Sequence, residues 1–368
     1  MPPSAPGAEP AGDSAVRIGA LVPLTRPGWV EAGRHLLAGL ELAVGDVNDA
    51  GGILGRPLEL VVRDTAADPE TAAAAVDELA RLGVAALAGE YHSVVARAAA
   101  ARADALGLPF LCSSAVLDGL TERPTDWVAR LAPAQSRGWQ IYADFLLRAG
   151  HRRIAVATEP SVYWASGARI LRECLAPHGG TTIELGLRTL TPAALCDEVA
   201  GSRATALLLL AGYPEPAVSI VRFVRRDQRL AGIMIGAPAG QPEFAEWTRL
   251  LGDDGAAIPF LRYLPERLTP LGARVETALR ERLAEAPSFV AFEGYDTIAV
   301  LAEALCSADA DRARVAGSWP HVSVEGTGGQ ITFSRVPGIS VWQWAWPPVK
   351  VADRDPAEPD RFRILHAG

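Results

Sequence analysis

The sequence predicts an α/β protein built from two doubly wound parallel-sheet lobes, on three observations. Short, fully apolar runs alternate with segments of helical spacing roughly every 20 to 30 residues, as parallel strands covered by helices do. The same rhythm occurs twice along the chain. At 368 residues the chain is also too long for one ordinary core.

Residues 17–24 form the first apolar run and meet a proline at Pro23. Residues 32–47 place Leu36, Leu37, Leu40, Ala43, Val44 and Val47 at helical spacing, with Arg34, Glu41 and Asp46 left for the outer face. The glycine pair Gly51-Gly52 ends that helix, and Gly55-Arg56-Pro57 turns the chain into a second strand over Leu58–Asp64. A helix over 69–82, a strand over 84–89, a helix starting near Ser93 and continuing through Leu106, and a strand over 108–112 follow. In the second half, strands are predicted over 153–157, 182–187, 204–210 and 233–236. Helices are expected over 136–148, 167–175 and 216–226.

Asn48-Asp49-Ala50-Gly51-Gly52-Ile53-Leu54-Gly55-Arg56-Pro57, followed by a strand ending in Asp64-Thr65, resembles the fingerprint of the type I periplasmic binding proteins of the leucine/isoleucine/valine-binding branch. The resemblance runs from about Val16 to about Val351. Residues 128–133 resemble that family's first crossing between lobes, Gly294-Tyr295-Asp296 its helix start, and Gly326, Gly329 and Phe333 its late Gly-x-x-Gly-x-x-x-Phe segment, before a final strand over 339–344. It implies a type I periplasmic binding protein fold with a three-segment hinge. The expected division is 15–133 plus 264–336 for the N-terminal lobe and 134–263 plus 337–368 for the C-terminal lobe, after a disordered tail at 1–14.

Composition narrows the function classes. A formal net charge of -8 argues against a nucleic-acid partner, which requires a basic surface. No apolar run approaches the roughly 20 residues of a membrane span. Residues 1–14 lack the basic start and apolar middle of a secretory signal. The chain as given therefore reads as cytoplasmic, or as periplasmic or extracellular with a signal already removed. The basic residues include a single lysine, Lys350, which leaves no Walker or Schiff-base lysine elsewhere. The four cysteines, at 112, 174, 196 and 306, form no CxxC pair, and the six histidines show no paired spacing, so no metal and no cofactor are expected. Reduced thiols are the expected state, with a Cys174 to Cys196 disulfide open in an oxidising compartment.

Ligands of doubly wound sheets bind outside the carboxyl ends of the strands. The resemblance implies a head group held there by hydroxyls and free backbone N–H groups. The matching positions are Ser93 after the third strand and Ser113, Ser114 and Ala115 after the fourth; each serine is equally suited to cap a helix. Across the cleft, residues 163–167 resemble the family's Tyr-Gly-x-Gly turn and nominate Tyr163. Tyr213 ends the next strand and Glu215 offers a carboxylate for an amino group, with Glu90 and Glu293 as rivals. Trp29, Tyr91 and Trp139 are the aromatic candidates for specificity. His92 beside Ser93 suggests a base next to its nucleophile, but neither Gly-x-Ser-x-Gly, GxGxxG nor HExxH occurs, and an enzyme is not expected. The expectation is a non-enzymatic binding protein that closes over an apolar or aromatic amino acid or a related carboxylate for an ABC-type importer. The alternative is a cytoplasmic amide or amino-acid sensor acting on a regulatory protein.

Overall fold

The computed structural model describes residues 15–368; the tail expected at 1–14 lies outside the described residues. The chain opens with β1 (Val16–Val22), α1 (Val30–Asp49), β2 (Leu58–Asp64), α2 (Pro69–Arg81), β3 (Ala86–Gly89), α3 (Ser93–Ala105), β4 (Phe110–Cys112) and β5 (Val128–Arg130). It continues with α4 (Gln135–Arg148), β6 (Arg153–Thr158), α5 (Val162–Leu175), β7 (Thr181–Gly186), α6 (Pro192–Ser202), β8 (Ala206–Leu210), α7 (Ala217–Arg226), β9 (Met234–Gly236), α8 (Ala245–Leu251) and β10 (Phe260–Arg262). The last third holds α9 (Pro270–Leu283), α10 (Phe289–Ser307), α11 (Arg312–Ser318), β11 (Ser323–Gly326), β12 (Gly329–Ser334), β13 (Trp342–Trp344), β14 (Lys350–Arg354) and β15 (Phe362–Ala367).

Among the described residues these strands make an eight-stranded sheet in the order β11-β12-β13-β5-β4-β3-β1-β2, a four-stranded sheet in the order β7-β6-β8-β9, and a three-stranded sheet β10-β14-β15. The second sheet and the block from β13 to β2 are parallel, while β11 and β12 run antiparallel. Strand order reverses between β1 and β3 and again between β6 and β8, so each of these two sheets has a switch point where a crevice opens. Helices cover both faces of the first: Ile18, Ala20 and Val22 of β1 join the core with α1 and α10, whereas Leu21 joins that with α2 and α3. The chain passes between the two lobes three times, after β5, β10 and β13.

The fingerprint turns out to be structural. Asn48 pairs with β2 through both amide atoms, accepting from Leu58 N–H at 2.7 Å and donating to Leu58 O at 3.0 Å. Asp64 at the far end of β2 accepts from Leu24 N–H and Thr25 Oγ1, tying down the loop after β1.

Several expectations are corrected. Gly294-Tyr295-Asp296 lies in the second turn of α10, which begins at Phe289. Its glycine serves a helix crossing, since a Cβ at Gly294 would stand 2.5 Å from Leu36 O of α1. Residues 163–167 are the first turns of α5, capped by Ser161, rather than a turn before a helix. The strand at 342–344 is not the last. It pairs with β5 in the first sheet, so the crossing to the other lobe comes only after Trp344 and not at residue 337. The four cysteines are free thiols, the reduced state expected of them, and Cys174 and Cys196 are not paired.

Candidate functional site

The loop after β1 carries Trp29, which precedes α1. Its backbone N–H donates to His92 Nε2 at 3.1 Å, so neutral His92 carries its proton on Nδ1. Burial lowers the His92 pKa to about 4 and keeps the ring neutral.

At the end of β3, Gly89 adopts φ +110°, and any Cβ there would lie 2.0 Å from Leu21 O. Glu90 follows, fully buried: its carboxylate accepts from the N–H groups of Tyr91 and His92 and from Thr65 Oγ1 at 2.6 to 2.8 Å. It thereby shapes the start of α3 and is not a counter-charge in the cleft. Burial raises its pKa to about 7.

Ser93 is the first residue of α3. Its Oγ accepts from the N–H groups of Val116 and Leu117 at 3.2 and 3.3 Å, which fixes the 113–117 loop and leaves its O–H to donate. Arg130, buried in β5, holds the same loop by donating to Val116 O and Leu117 O. The second lobe contributes Ser161, whose Oγ caps α5 by accepting from Tyr163 N–H, and the Ala211-Gly212-Tyr213 strand end, held by Glu159 Oε2 accepting from Gly212 N–H at 2.6 Å.

These elements enclose a cavity of about 290 Å³ between the two lobes, at the switch points of both sheets. Its walls are aromatic: Trp29, Tyr91, Tyr163, Trp164, Tyr213, Tyr263 and Phe289. Trp29 bridges the lobes, with ring centroids 5.4 Å from Tyr91, 4.7 Å from Tyr213 and 4.3 Å from Phe244. At one pole lie Ser93, Val94 and Val95, the first turn of α3, where backbone N–H groups and the positive end of the helix dipole suit an anion. Among the described residues, none of those that line it is Asp, Glu, Arg or Lys.

The structure therefore brings together Ser93, Ser114, Tyr163, Tyr213, Trp29, Tyr91 and His92. Ser113 is turned into the core, where its Oγ accepts from Thr297 Oγ1 at 2.8 Å. Ala115 is buried beside it and outside the lining, Glu215 is an exposed loop residue, and Trp139 stands behind Tyr163 at 6.2 Å. Glu293 is buried on α10 outside the lining, its pKa pushed well above the ordinary carboxyl value by burial. Sequence reasoning missed Gln241, Tyr263, Phe289 and Ser161. The strand-end rule applied to β9 reaches Gln241, but Tyr263 follows a strand with no local signal.

Glu31, His35 and Glu285 place possible metal-ligating atoms within 4.8 Å of one another. His35 Nδ1 accepts from Ser288 N–H at 3.0 Å, so its Nε2 carries the hydrogen and donates to Glu285 Oε1 at 3.0 Å. Arg34 and Arg249 also reach Glu285. A protonated ring nitrogen and two guanidinium groups do not fit a bound cation. The cluster instead joins the lobes, because Glu31 Oε1 also accepts from Glu246 N–H of α8 at 3.2 Å.

Residues 15–338 match the family model described as periplasmic binding protein. The Leu/Ile/Val-binding protein homolog 8 of Brucella abortus is 30% identical over 133 residues, 36% of this chain and 33% of that protein, so the match spans about a third of the curated relative's length. The branched-chain amino acid transporter substrate binding protein LivJ of Streptococcus pneumoniae, in complex with isoleucine, superposes with TM-score 0.80 at 19% identity, covering 96% of this chain and 99% of that one. A solute binding protein of R. palustris in complex with benzoate gives TM-score 0.80 at 17% identity, covering 96% of both chains. With the two-lobed fold and the cavity between its switch points, the match over residues 15–338 means that this chain belongs to the periplasmic binding protein family.

Proposed function

We infer that the chain is a non-enzymatic solute-binding protein that closes its lobes over a small carboxylate with an apolar or aromatic body and delivers it to an ABC-type importer, working outside the cytoplasmic membrane. The observation that carries this reading is the character of the cavity: donors at the α3 N-terminus, aromatic walls from both lobes, and no charged side chain. No carboxylate lines the cavity for an ammonium group, and burial disfavours the ionised form of Glu293, which reaches Ser114 from outside the lining, so an amine-free acid suits the cavity better than an amino acid does. The benzoate of the R. palustris protein is a ligand of that kind. Contacts to both lobes exist together only in the closed form, and that difference in affinity drives closure. Catalysis is disfavoured by the hydrogen bonds themselves: His92 Nε2 is occupied by Trp29 N–H, and Ser93 Oγ by two backbone donors.

Titration calorimetry with benzoate, phenylacetate, leucine and isoleucine tests the reading. One of the amine-free acids is expected to bind at least about tenfold tighter than either amino acid, a difference of about 1.4 kcal/mol. Ser93→Ala should weaken that acid by about the same factor through loss of a charge-assisted hydrogen bond. Tighter binding of leucine or isoleucine would overturn the ligand class.

A further inference from the structure

Arg130 ends β5 with a fully buried guanidinium. Its hydrogen bonds go to neutral acceptors: Nε donates to Gln343 Oε1 at 2.7 Å, and one terminal nitrogen donates to Val116 O at 3.0 Å and to Leu117 O. The other terminal nitrogen is buried without a partner. Among the described residues no carboxylate forms an ion pair with it; Asp118 is the one whose charge reaches it, and that half-buried side chain accepts from Ser136 N–H instead. Cys112 beside it stays a neutral thiol, because burial raises its pKa to about 12. Burial lowers the Arg130 pKa only to about 10, so the guanidinium is charged at neutral pH. A buried charge without a counter-ion is costly, and an anion that arrives as ligand relieves that cost.

A hydrogen-bonded chain joins this guanidinium to the cavity. Val116 O and Leu117 N–H belong to one trans peptide group, which points them in opposite directions. The oxygen accepts from Arg130, and the N–H donates to Ser93 Oγ at 3.3 Å. Ser93 Oγ also accepts from Val116 N–H at 3.2 Å, so the hydroxyl has only its own hydrogen left to give. Ser93 and Val116 both line the cavity, at the pole formed by the α3 N-terminus. Guanidinium, peptide and hydroxyl each polarise the next, and the field of the cation acts in the same direction. An anion gains most from such a chain, and a neutral group of the same shape gains less.

We propose that Arg130 is the buried counter-charge of the ligand carboxylate, acting through the Val116-Leu117 peptide and Ser93, and that it sets the preference for an acid over its isosteric amide. The proposal rests on the carboxylate reading above and names the positioning residue behind it. Arg130 itself lies outside the lining. A cavity without a charged side chain in its walls thus holds an anion, because the charge stands one peptide behind the wall.

The test is calorimetry with benzoate, phenylacetate and their primary amides, with thermal unfolding as the check on folding. In the wild-type protein the acid that binds better is expected to bind at least about tenfold tighter than its amide. Arg130→Gln should cut that ratio about tenfold, chiefly by weakening the acid. Arg130→Lys keeps the charge but not the planar fork, so the ratio should stay within about twofold of wild type even where a looser loop weakens both ligands. A role confined to holding the loop would weaken acid and amide together and leave the ratio unmoved in both variants. If Arg130→Gln does not fold, Gln343→Glu decides: it sets a carboxylate against Nε, compensates the charge inside the protein and should cut the same ratio. A wild type indifferent between acid and amide, an unmoved ratio in the deciding variant, or a ratio lost equally in folded Arg130→Lys would overturn the counter-charge alone. Failure of both acids to bind would overturn the carboxylate reading and the proposal together.

Discussion

Glu90 is a residue whose position in the sequence promised one role and whose contacts give another. Its carboxylate is satisfied inside the protein by two backbone N–H groups and Thr65, yet burial holds its pKa near 7 against an ordinary 4.5. Between those values the folded state binds more protons than the unfolded one, so this group makes stability fall as pH rises from 4.5 to 7. Glu31 and Asp296, also raised to about 7, act with the same sign. Glu90→Gln keeps an acceptor for the N–H groups and removes the titration. Urea unfolding at pH 5 and pH 8 should therefore show a decline smaller than wild type by about 3 kcal/mol; an unchanged decline would refute this account. Ser93 was legible because a serine at a strand end before a helix has few roles, and capping and binding both point there. Ser113 was not distinguishable from Ser114 by sequence, since which of two neighbours faces a cavity depends on the path of a loop set by Arg130 and Ser93. Gln241 offered no local chemistry to notice; it lines the cavity from the turn after β9, where its amide donates to Ala211 O.

At the scale of elements, the legible parts were those with strong local periodicity. The buried strands β1, β2 and β8 and the helices α1, α2 and α7 fall within two residues of their expected bounds. The illegible parts draw their order from distant partners. The β10-β14-β15 sheet joins residues about ninety positions apart, so no short window contains its pattern. The start of α10 differs from the expected one because Gly294-Tyr295-Asp296 resembles a helix start, whereas the packing of Phe289 to Phe292 in the core with α1 begins the helix one turn earlier. That crossing is close at two points: a Cβ would lie 1.9 Å from Ala291 O at Gly39 and 2.5 Å from Leu36 O at Gly294. Gly294→Ala must push two helix backbones apart. It is expected to cost about 1–3 kcal/mol, read as a lower urea midpoint with an unchanged m-value. A midpoint equal to wild type would mean that the helices separate without penalty.

For the whole molecule, the decisive contacts are those that exist only while the lobes are together. Arg249 of α8 lies 3.7 Å from Glu31 and 3.3 Å from Glu285, but its side chain is 60% exposed, so each pair contributes little. Arg249→Ala should accordingly raise the ligand Kd only about 2- to 5-fold, mainly through faster release, and the effect should shrink in high salt. A change confined to the association rate would argue against a closed-state contact. Trp29 makes the larger bridge, lodged between Tyr91 of its own lobe and Tyr213 and Phe244 of the other. The cavity also divides its labour unevenly. The pole at α3 offers chiefly main-chain N–H groups, which every residue type except proline supplies, whereas the opposite wall adds the large side chains of Tyr163, Trp164 and Tyr213. A protein so arranged can change its diet without changing its handle. Random replacement at Tyr163, Trp164, Tyr213 and Gln241 should yield receptors for new acids readily and for cations hardly ever, and a lineage carrying this scaffold would diversify along the same line.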